Sequence, residues 1–472
     1  MKLNDNGLLE ERMTTQLYCE EHSAFLADRF VEGNCPHCDY ADARGDQCDL
    51  CGRLLDSLEL KNPRCKVDGT TPVRRETKHI FFAMDKVQPE IEAFFRDSIE
   101  KGDWSNNGKV ITSSWLKEGL LPRSITWDYK WGVPVTLPGY EEKVIYSWFD
   151  ACIGYVSITA GYTDQWEKWW RNPDDVQLYQ FIGKDNVVFH SVIFPGSQLG
   201  TQDAWTKLHH LSTTEYLTYE GGKFSKSRGI GVFGDSAQET GVPSDVWRFY
   251  LLAHRPESGD TEFTWDSFIA DNNNILLKNL GNFINRIVKF VNSRHYNSVV
   301  PDWTKYHEPS FHSWKEDVNR SLGQYIRDLD NVKLRAGLYT ILEIFQKGNA
   351  FLQFHKLDNS LADSEPDKCA AVVGLAINLA HLLSALLMPY MPDTAASINT
   401  QLRANAVPIP TVWTADSIKP GHEIGSAKYL FSRIKPEMAG EWRIRFGSDQ
   451  DSKDKSKGSK AFSFERQKQS SS

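Results

Sequence analysis

Two Cys-x-x-Cys pairs near the start of the chain constrain its fold more than any other feature. They are Cys35-Pro-His-Cys38 and Cys48-Asp-Leu-Cys51. Each pair can direct two thiolates at one point, and two such pairs form the closed tetrahedral four-sulfur site that suits structural Zn2+. Because a closed site leaves no coordination position for a substrate, the expected zinc stabilises a small module and does no chemistry. On spacing alone, reduced or core cysteines remain the alternative.

A second, degenerate pair of motifs flanks the first. Cys19-Glu-Glu-His22 precedes the four cysteines, Cys65-Lys-Val-Asp68 follows them, and the spacing within each is the same. All four side chains can bind a metal, although aspartate is a less usual ligand of structural zinc. The motifs predict a second candidate metal site, with ordinary polar residues as the alternative.

Composition narrows the class of protein. The chain has 472 residues, a formal net charge of -8 and eight cysteines, of which six lie between Cys19 and Cys65. This composition excludes collagen-like, disordered and disulfide-scaffold chains. Met1 to Arg12 lacks the apolar core of a secretory signal, and Asn378, His381 and Ser384 interrupt the most apolar window, Ala370 to Met391. We therefore expect a soluble, cytoplasmic protein without a membrane partner.

Changes of pattern along the chain predict a multidomain α/β protein in four segments. A zinc-binding insert is expected over 1–122, with mainly helical structure from residue 76. Over 123–265, short apolar runs that alternate with helical ones predict part of a parallel α/β sheet with a Rossmann-like arrangement. Apolar residues at helical spacing predict a helical bundle over 266–440, and the Ser- and Lys-rich residues 441–472 are expected to be disordered.

A glycine-flanked basic loop, Glu220 to Gly234, carries Lys223-Phe-Ser-Lys-Ser227. Two ammonium groups on a flexible loop can close over a triphosphate and neutralise the charge that builds on it in the transition state. The alternative is a solvated basic turn.

The loop resembles the Lys-Met-Ser-Lys-Ser signature of class I aminoacyl-tRNA synthetases, with Phe224 in place of methionine. The other motifs narrow the resemblance to the methionyl-tRNA synthetases of the eukaryotic cytosolic type. These motifs are Phe25 to Gly33, the cysteine pairs, Trp148 to Tyr155, Phe181 to Asn186 with Phe189-His190, and Asn282-Phe-Ile-Asn285. The resemblance covers about Leu8 to Arg433 and implies a class I catalytic domain followed by a helical anticodon-binding domain.

The resemblance also implies roles for individual residues. Those that match the family's methionine-binding positions are Trp148, Ala151, Tyr155, Phe189 and His190. Aromatic walls suit a thioether, whose polarizable sulfur gains from contact with rings. Those that match the ATP-binding positions are Gly183, Lys184, Asp185, Lys223, Ser225, Lys226 and Ser227, with Lys223 and Lys226 as the catalytic pair. For the methionine-binding residues the alternative is an aromatic core. For Gly183 to Asp185 the alternative is an ordinary turn.

The implied reaction joins methionine to ATP and then to tRNA(Met). The methionine carboxylate attacks the α-phosphate without a general base, and catalysis depends on positioning and charge stabilisation by Lys226, Lys223 and Mg2+. Asn279, Asn282, Asn285 and Arg286 are candidates for contact with the anticodon region, with a solvated helix face as the alternative. A synthetase-complex scaffold protein is a further candidate partner.

One family signature is missing. None of the 13 histidines begins a His-x-Gly-His motif. The resemblance places this motif in a preceding half of the nucleotide fold, so two interpretations stay open. Either the sequence is an incomplete version of a methionine-tRNA ligase, or it is a catalytically inactive zinc-containing fragment that binds tRNA. A zinc-ribbon nucleic-acid protein with an unrelated α/β domain is the third hypothesis.

Overall fold

The structure, a computed structural model, describes residues 1–45, 48, 55–129, 131–222, 224 and 229–447. The chain forms two compact units, Met1–Thr214 and Glu215–Ser472. This single division at residue 214 does not test the predicted segment boundaries at residues 122, 265 and 440, which remain predictions.

The strands of the first unit are β1 (Leu9–Cys19), β2 (Ala24–Phe25), β3 (Val31–Asn34), β4 (Ala43–Arg44), β5 (Lys61–Cys65), β6 (Val73–Phe82), β7 (Arg123–Ser124), β8 (Thr126–Trp127), β9 (Val144–Ile145), β10 (Leu178–Gly183) and β11 (Leu208–Thr214). Its α-helices are α1 (Lys2–Asp5), α2 (Met84–Gly102), α3 (Asn106–Glu118), α4 (Ser147–Tyr162), α5 (Glu167–Trp170) and α6 (Phe194–Gly200), and a π-helical turn, Phe189–Ile193, runs directly into α6.

A small three-stranded sheet of order β4-β3-β5 carries Cys65 at the end of β5, and Cys35 directly follows β3. Cys19 ends β1, which belongs to a four-stranded sheet of order β2-β1-β6-β7 and pairs antiparallel with β6 from Leu9↔Phe82 to Tyr18↔Val73. The sequence predicts mainly helical structure from residue 76, which is wrong for β6. Its charged Arg, Glu and Lys residues obscure the alternation of buried and exposed positions that ends in Ile80 and Phe82.

The predicted parallel sheet is present as β10 beside β11, which pair from Leu178↔Leu208 to Gly183↔Thr214 with one register shift after Leu178. The end of α2 packs against β11. A Cβ on Gly102 would lie 1.7 Å from the carbonyl oxygen of His209, so only glycine permits this approach. The apolar run at Val144 was also expected in a parallel sheet, but β9 pairs antiparallel with β8.

The second unit begins with a parallel pair, β12 (Leu217–Tyr219) and β13 (Thr261–Phe263). Its α-helices are α7 (Gly234–Glu239), α8 (Ser244–Ala253), α9 (Trp265–Ala270), α10 (Asn282–Val291), α11 (Pro309–Asp330), α12 (Leu334–Phe354), α13 (Asn359–Ser364), α14 (Pro366–Leu387), α15 (Pro392–Leu402) and α16 (Met438–Phe446). An 11-residue π-helix, Asp271–Gly281, joins α9 to α10 in one continuous rod.

Helix α14 lies at the centre of this bundle. It is long and apolar enough to cross a membrane by length and composition, and its most apolar window is 100% buried by protein, as core helices of globular domains are. Its polar residues are satisfied internally, since Asn378 pairs with the backbone of Ile418, and Ser384 donates to Asn399. The polar residues that interrupt this apolar window therefore fix α15 and the loop that follows it against α14.

Candidate functional site

The side chains predicted to hold methionine come from two neighbouring elements of the first unit. Trp148, Ala151 and Tyr155 lie on one face of α4, because they are three or four residues apart. Phe189 and His190 begin the π-helical turn, and the Trp148 and Phe189 ring centroids are 6.0 Å apart at an interplanar angle of 37°. The structure thus places two aromatic pairs, Trp148 with Phe189 and Tyr155 with His190, on these neighbouring elements, and their role in binding methionine remains a prediction.

Tyr155 and His190 are joined by a hydrogen bond of 2.7 Å between Oη and Nε2. The other ring nitrogen, Nδ1, lies 2.8 Å from the carbonyl oxygen of Asn186, which can only accept. Nδ1 therefore carries the proton of the neutral ring, and Nε2 accepts from the Tyr155 hydroxyl. Burial lowers the pKa of His190 below its usual value, and the Asn186 carbonyl only partly opposes this.

Arg123 also lies beside Trp148 and Phe189, although no pattern in the sequence indicates it. Its guanidinium carbon lies 5.0 Å from the Trp148 ring centroid and 5.3 Å from that of Phe189. Burial lowers the pKa of Arg123, and its side chain forms no ion pair within the described part of the chain. Arg123 precedes Trp148 by 25 residues, so no helical or strand spacing could have connected them.

The predicted nucleotide segment lies next to this cluster. Gly183 ends β10, and Lys184–Asn186 form a single 3-10 turn. Because Asn186 accepts the hydrogen bond from His190, the backbone of this turn and the aromatic cluster are held together. The carboxyl end of a parallel strand is where ligands bind in open α/β sheets.

Four residues of the predicted Lys223-Phe-Ser-Lys-Ser227 motif lie outside the described residues, namely Lys223, Ser225, Lys226 and Ser227. Phe224 is described. Its ring packs 5.3 Å from the Tyr219 ring and 5.9 Å from the Phe233 ring, centroid to centroid. The phenylalanine that replaces the family's methionine is thus part of an aromatic cluster in the second unit.

Three of the four predicted zinc-binding cysteines converge. The sulfur atoms of Cys35, Cys38 and Cys48 lie within 4.8 Å of one another, and the fourth, Cys51, lies outside the described residues. Burial opposes ionisation of Cys35, but hydrogen bonds from the backbone of His37 and Cys38 and contacts with the neighbouring thiols outweigh it and lower its pKa to about 7. A thiol that ionises readily suits a metal ligand.

The second candidate metal site is complete in the described structure. The donor atoms of Cys19, His22, Cys65 and Asp68 all lie within 4.8 Å of one another. His22 Nδ1 is 3.2 Å from Cys19 Sγ, 3.8 Å from Cys65 Sγ and 3.1 Å from a carboxylate oxygen of Asp68. Hydrogen bonds from Thr70 dominate the lowering of the Asp68 pKa to about 2, so its carboxylate is ionised at neutral pH. Two sulfurs, one imidazole and one carboxylate form a donor set that Zn2+ accepts.

The predicted tRNA contacts lie on the rod of the second unit, and they differ in accessibility. Asn282 and Arg286 are exposed, and Arg286 donates to the carbonyl oxygen of Leu357 over 2.8 Å. Asn279 accepts from Asn349 at both its side chain and its backbone, and the buried Oδ1 of Asn285 has no partner among the described residues.

The fold and these clusters define a class of protein, namely a class I aminoacyl-tRNA synthetase with a helical anticodon-binding domain. The family model for tRNA synthetases class I (M) matches residues 1–288, and the model for the anticodon binding domain of methionyl tRNA ligase matches residues 300–451. The chain therefore belongs to the methionyl family of class I tRNA synthetases.

Relatives in several eukaryotes are about half identical to this chain over the aligned residues. The probable cytoplasmic methionine-tRNA ligase of Schizosaccharomyces pombe is 54% identical over 95% of this chain and 58% of its own length. The cytoplasmic enzyme of Saccharomyces cerevisiae is 51% identical, with 95% and 60% covered, and that of Homo sapiens is 47% identical, with 95% and 50% covered. The chain thus spans about half to three fifths of the length of these relatives.

Solved structures agree on the fold. Mycobacterium tuberculosis methionyl-tRNA synthetase in complex with methionyl-adenylate superposes with a TM-score of 0.69 at 18% identity, over 92% of this chain and 79% of that one. Its apo form gives a TM-score of 0.68 at 17% identity, over 92% and 80%.

Proposed function

We propose that this chain functions in the cytoplasm as a methionine-tRNA ligase, which activates methionine with ATP and transfers it to tRNA(Met). The observation that carries this proposal is the convergence of Trp148, Tyr155, Phe189 and His190 in a chain of this family. The ring faces of such a cluster are polarizable and suit the thioether of methionine. The Tyr155–His190 hydrogen bond fixes the position of two polar groups beside these rings.

In the proposed first step the methionine carboxylate attacks the α-phosphate of ATP, which forms methionyl-adenylate and releases pyrophosphate. The carboxylate is already ionised at neutral pH, so the protein positions the two substrates and stabilises charge. Gly183, Lys184 and Asp185 would contact the nucleotide from the end of β10. Lys226 would bind the phosphates, with Lys223, Ser225 and Ser227 in the same loop, and Mg2+ would arrive with ATP as part of the substrate.

In the second step a ribose hydroxyl at the end of the tRNA attacks the adenylate carbonyl, and AMP leaves. Asn282 and Arg286 are the best placed of the predicted anticodon contacts, because both are exposed on α10. Asn279 is the weakest candidate, since Asn349 already binds it. A scaffold protein remains a candidate partner, to which we assign no surface.

Both cysteine-containing clusters would hold structural Zn2+. One site would use Cys35, Cys38, Cys48 and Cys51, and the other Cys19, His22, Cys65 and Asp68. With all positions taken by protein donors, each ion would stabilise the local fold and would not contact substrate. The second site has a neutral imidazole and a carboxylate in place of two thiolates, so we expect the weaker affinity there.

Methionine-dependent exchange of labelled pyrophosphate into ATP tests the first step directly. We expect exchange with methionine and much less with leucine, because leucine lacks the sulfur that the aromatic cluster favours. An absence of exchange together with retained tRNA binding would instead support the inactive tRNA-binding fragment. The similarity to the cytoplasmic methionine-tRNA ligases of other eukaryotes does not favour that alternative.

A further inference from the structure

Arg123 is a partly buried cation beside the predicted methionine site, and the proposed reaction gives it no role. It lies on β7, where it pairs with Phe82 of β6. Its guanidinium carbon is 5.0 Å from the ring centroid of Trp148 and 5.3 Å from that of Phe189, and the two centroids are 6.0 Å apart. The cation therefore lies beside both rings at once.

No negative charge within the described residues compensates the charge of Arg123. The acidic groups that act on it are the hydroxyl of Tyr146 and the thiol of Cys152. Burial raises the pKa of the Cys152 thiol to about 12, and a phenol is also protonated at neutral pH. Because a cation withdrawn from water without a counter-ion is costly, a ligand that brings an anionic group to this position would recover that cost.

Other cations of the first unit that lie over aromatic rings differ from Arg123 in this respect. They are Arg12, Arg75, Lys78 and Arg171. Each of these four has a carboxylate oxygen within 3.3 Å. Among these cation–ring contacts of the described first unit, the one without a carboxylate is thus the one at the predicted methionine site.

The carboxylate of methionine has the charge and the shape that this position lacks. The planar guanidinium group donates hydrogen bonds to carboxylate oxygens in a matching geometry. The rings next to Arg123 are those predicted to bind the thioether, and the carboxylate is the anionic group of the same small molecule. One methionine could therefore contact the rings with its sulfur and the guanidinium with its carboxylate.

We infer that Arg123 binds the carboxylate of methionine and selects ligands that carry this group. The inference rests on the proposed function and deepens it, because it assigns a protein group to the reacting end of the amino acid. One carboxylate oxygen attacks the α-phosphate in the proposed first step. A guanidinium that holds the other oxygen would orient the attacking one, which is how positioning accelerates such a reaction.

The test compares methionine with methioninol, in which a hydroxymethyl group replaces the carboxylate. Isothermal titration calorimetry measures the binding of each to the unmodified chain, to Arg123→Gln and to Arg123→Met, which keeps an unbranched apolar side chain next to the rings. Arg171→Gln is the matched control, since Arg171 lies 3.6 Å from the Trp205 ring centroid but pairs with Asp203. Thermal unfolding verifies that the variants fold.

The unmodified chain should bind methionine about 10-fold or more tightly than methioninol, because a hydrogen bond to a charged group is lost with the carboxylate. Both Arg123 variants should bind the two ligands with nearly equal affinity, and Arg171→Gln should keep the preference. In pyrophosphate exchange, the Arg123 variants should raise the KM for methionine and leave the KM for ATP unchanged.

Equal affinities of the unmodified chain for the two ligands would overturn the inference, and this comparison needs no variant. A preference for methionine that survives in the Arg123 variants would also overturn it, and a raised KM for ATP in the same variants would then indicate a phosphate contact instead. These results leave the proposed function intact as long as the unmodified chain binds methionine and exchanges pyrophosphate. Failure of the unmodified chain to bind either ligand would contradict both.

Discussion

The hydroxyl of Tyr155 donates a 2.7 Å hydrogen bond to Nε2 of His190, and this bond links α4 to the π-helical turn that follows the nucleotide segment. Since His190 Nδ1 in turn donates to Asn186, one imidazole ring holds together the aromatic cluster and the end of β10. A ligand that fills the aromatic cluster is thereby positioned next to the turn expected to contact ATP.

Replacement of Tyr155 by phenylalanine tests this arrangement. The ring remains, but His190 loses its donor, which should cost about 0.5–1.5 kcal/mol and raise the KM for methionine by about 2- to 10-fold in pyrophosphate exchange. Tyr162→Phe is the matched control, because Tyr162 lies on the same helix and is 90% exposed. Equal effects of the two substitutions would contradict the role given to Tyr155.

The charge state of His190 should depend on pH in a defined direction. Burial lowers its pKa in the folded protein, so the neutral ring persists to a lower pH than in an unfolded chain. Its contribution to stability is therefore complete above the unfolded value, about 6.5, and is lost as the pH falls through the lower folded pKa. Nitrogen-15 NMR of the labelled imidazole should give a pKa below 6.5, and a value at or above it would refute the assignment.

Metal content tests the two proposed zinc sites separately. Elemental analysis of the purified chain should give two zinc ions per molecule. Cys35→Ser should remove one of them and Cys19→Ser the other, because the two donor sets share no residue. A single zinc ion that survives Cys19→Ser but is lost in Cys35→Ser would eliminate the second site.

The buried amide of Asn378 should contribute strongly to the stability of the second unit. It donates to the carbonyl oxygen of Ile418 and accepts from the Ile418 N–H, and it is fully buried. Asn378→Leu would leave both backbone groups without a partner, at a cost of about 1–3 kcal/mol each. Urea denaturation measures the loss, with Gln353→Leu at an exposed position as the control. A change smaller than about 0.5 kcal/mol would contradict the importance of these bonds.

The sequence predicted best the features that depend on short spacing. The i, i+3 pairs of Cys19 with His22 and Cys65 with Asp68 identified a cluster that the structure assembles. The spacing of Trp148, Ala151 and Tyr155 likewise identified one face of a helix. Apolar residues at helical intervals predicted the helices of the bundle. Two apolar runs separated by a helix predicted the parallel pairing of β10 with β11.

Features that depend on contacts between distant segments were not predictable in this way. The charged residues of β6 pair with β1 across the sheet, and local pattern cannot show that partner. Arg123 reaches Trp148 and Phe189 only because β7 lies beside them in three dimensions. The contact of Asn292 with the backbone of Gly425 likewise joins segments more than 130 residues apart.

The most direct test of the proposed function is the attachment of labelled methionine to tRNA(Met) by this chain in the presence of ATP. The account predicts acid-precipitable methionyl-tRNA that accumulates with time and requires both ATP and methionine. If the chain binds tRNA(Met) and still forms no methionyl-tRNA, the assignment as a methionine-tRNA ligase is wrong.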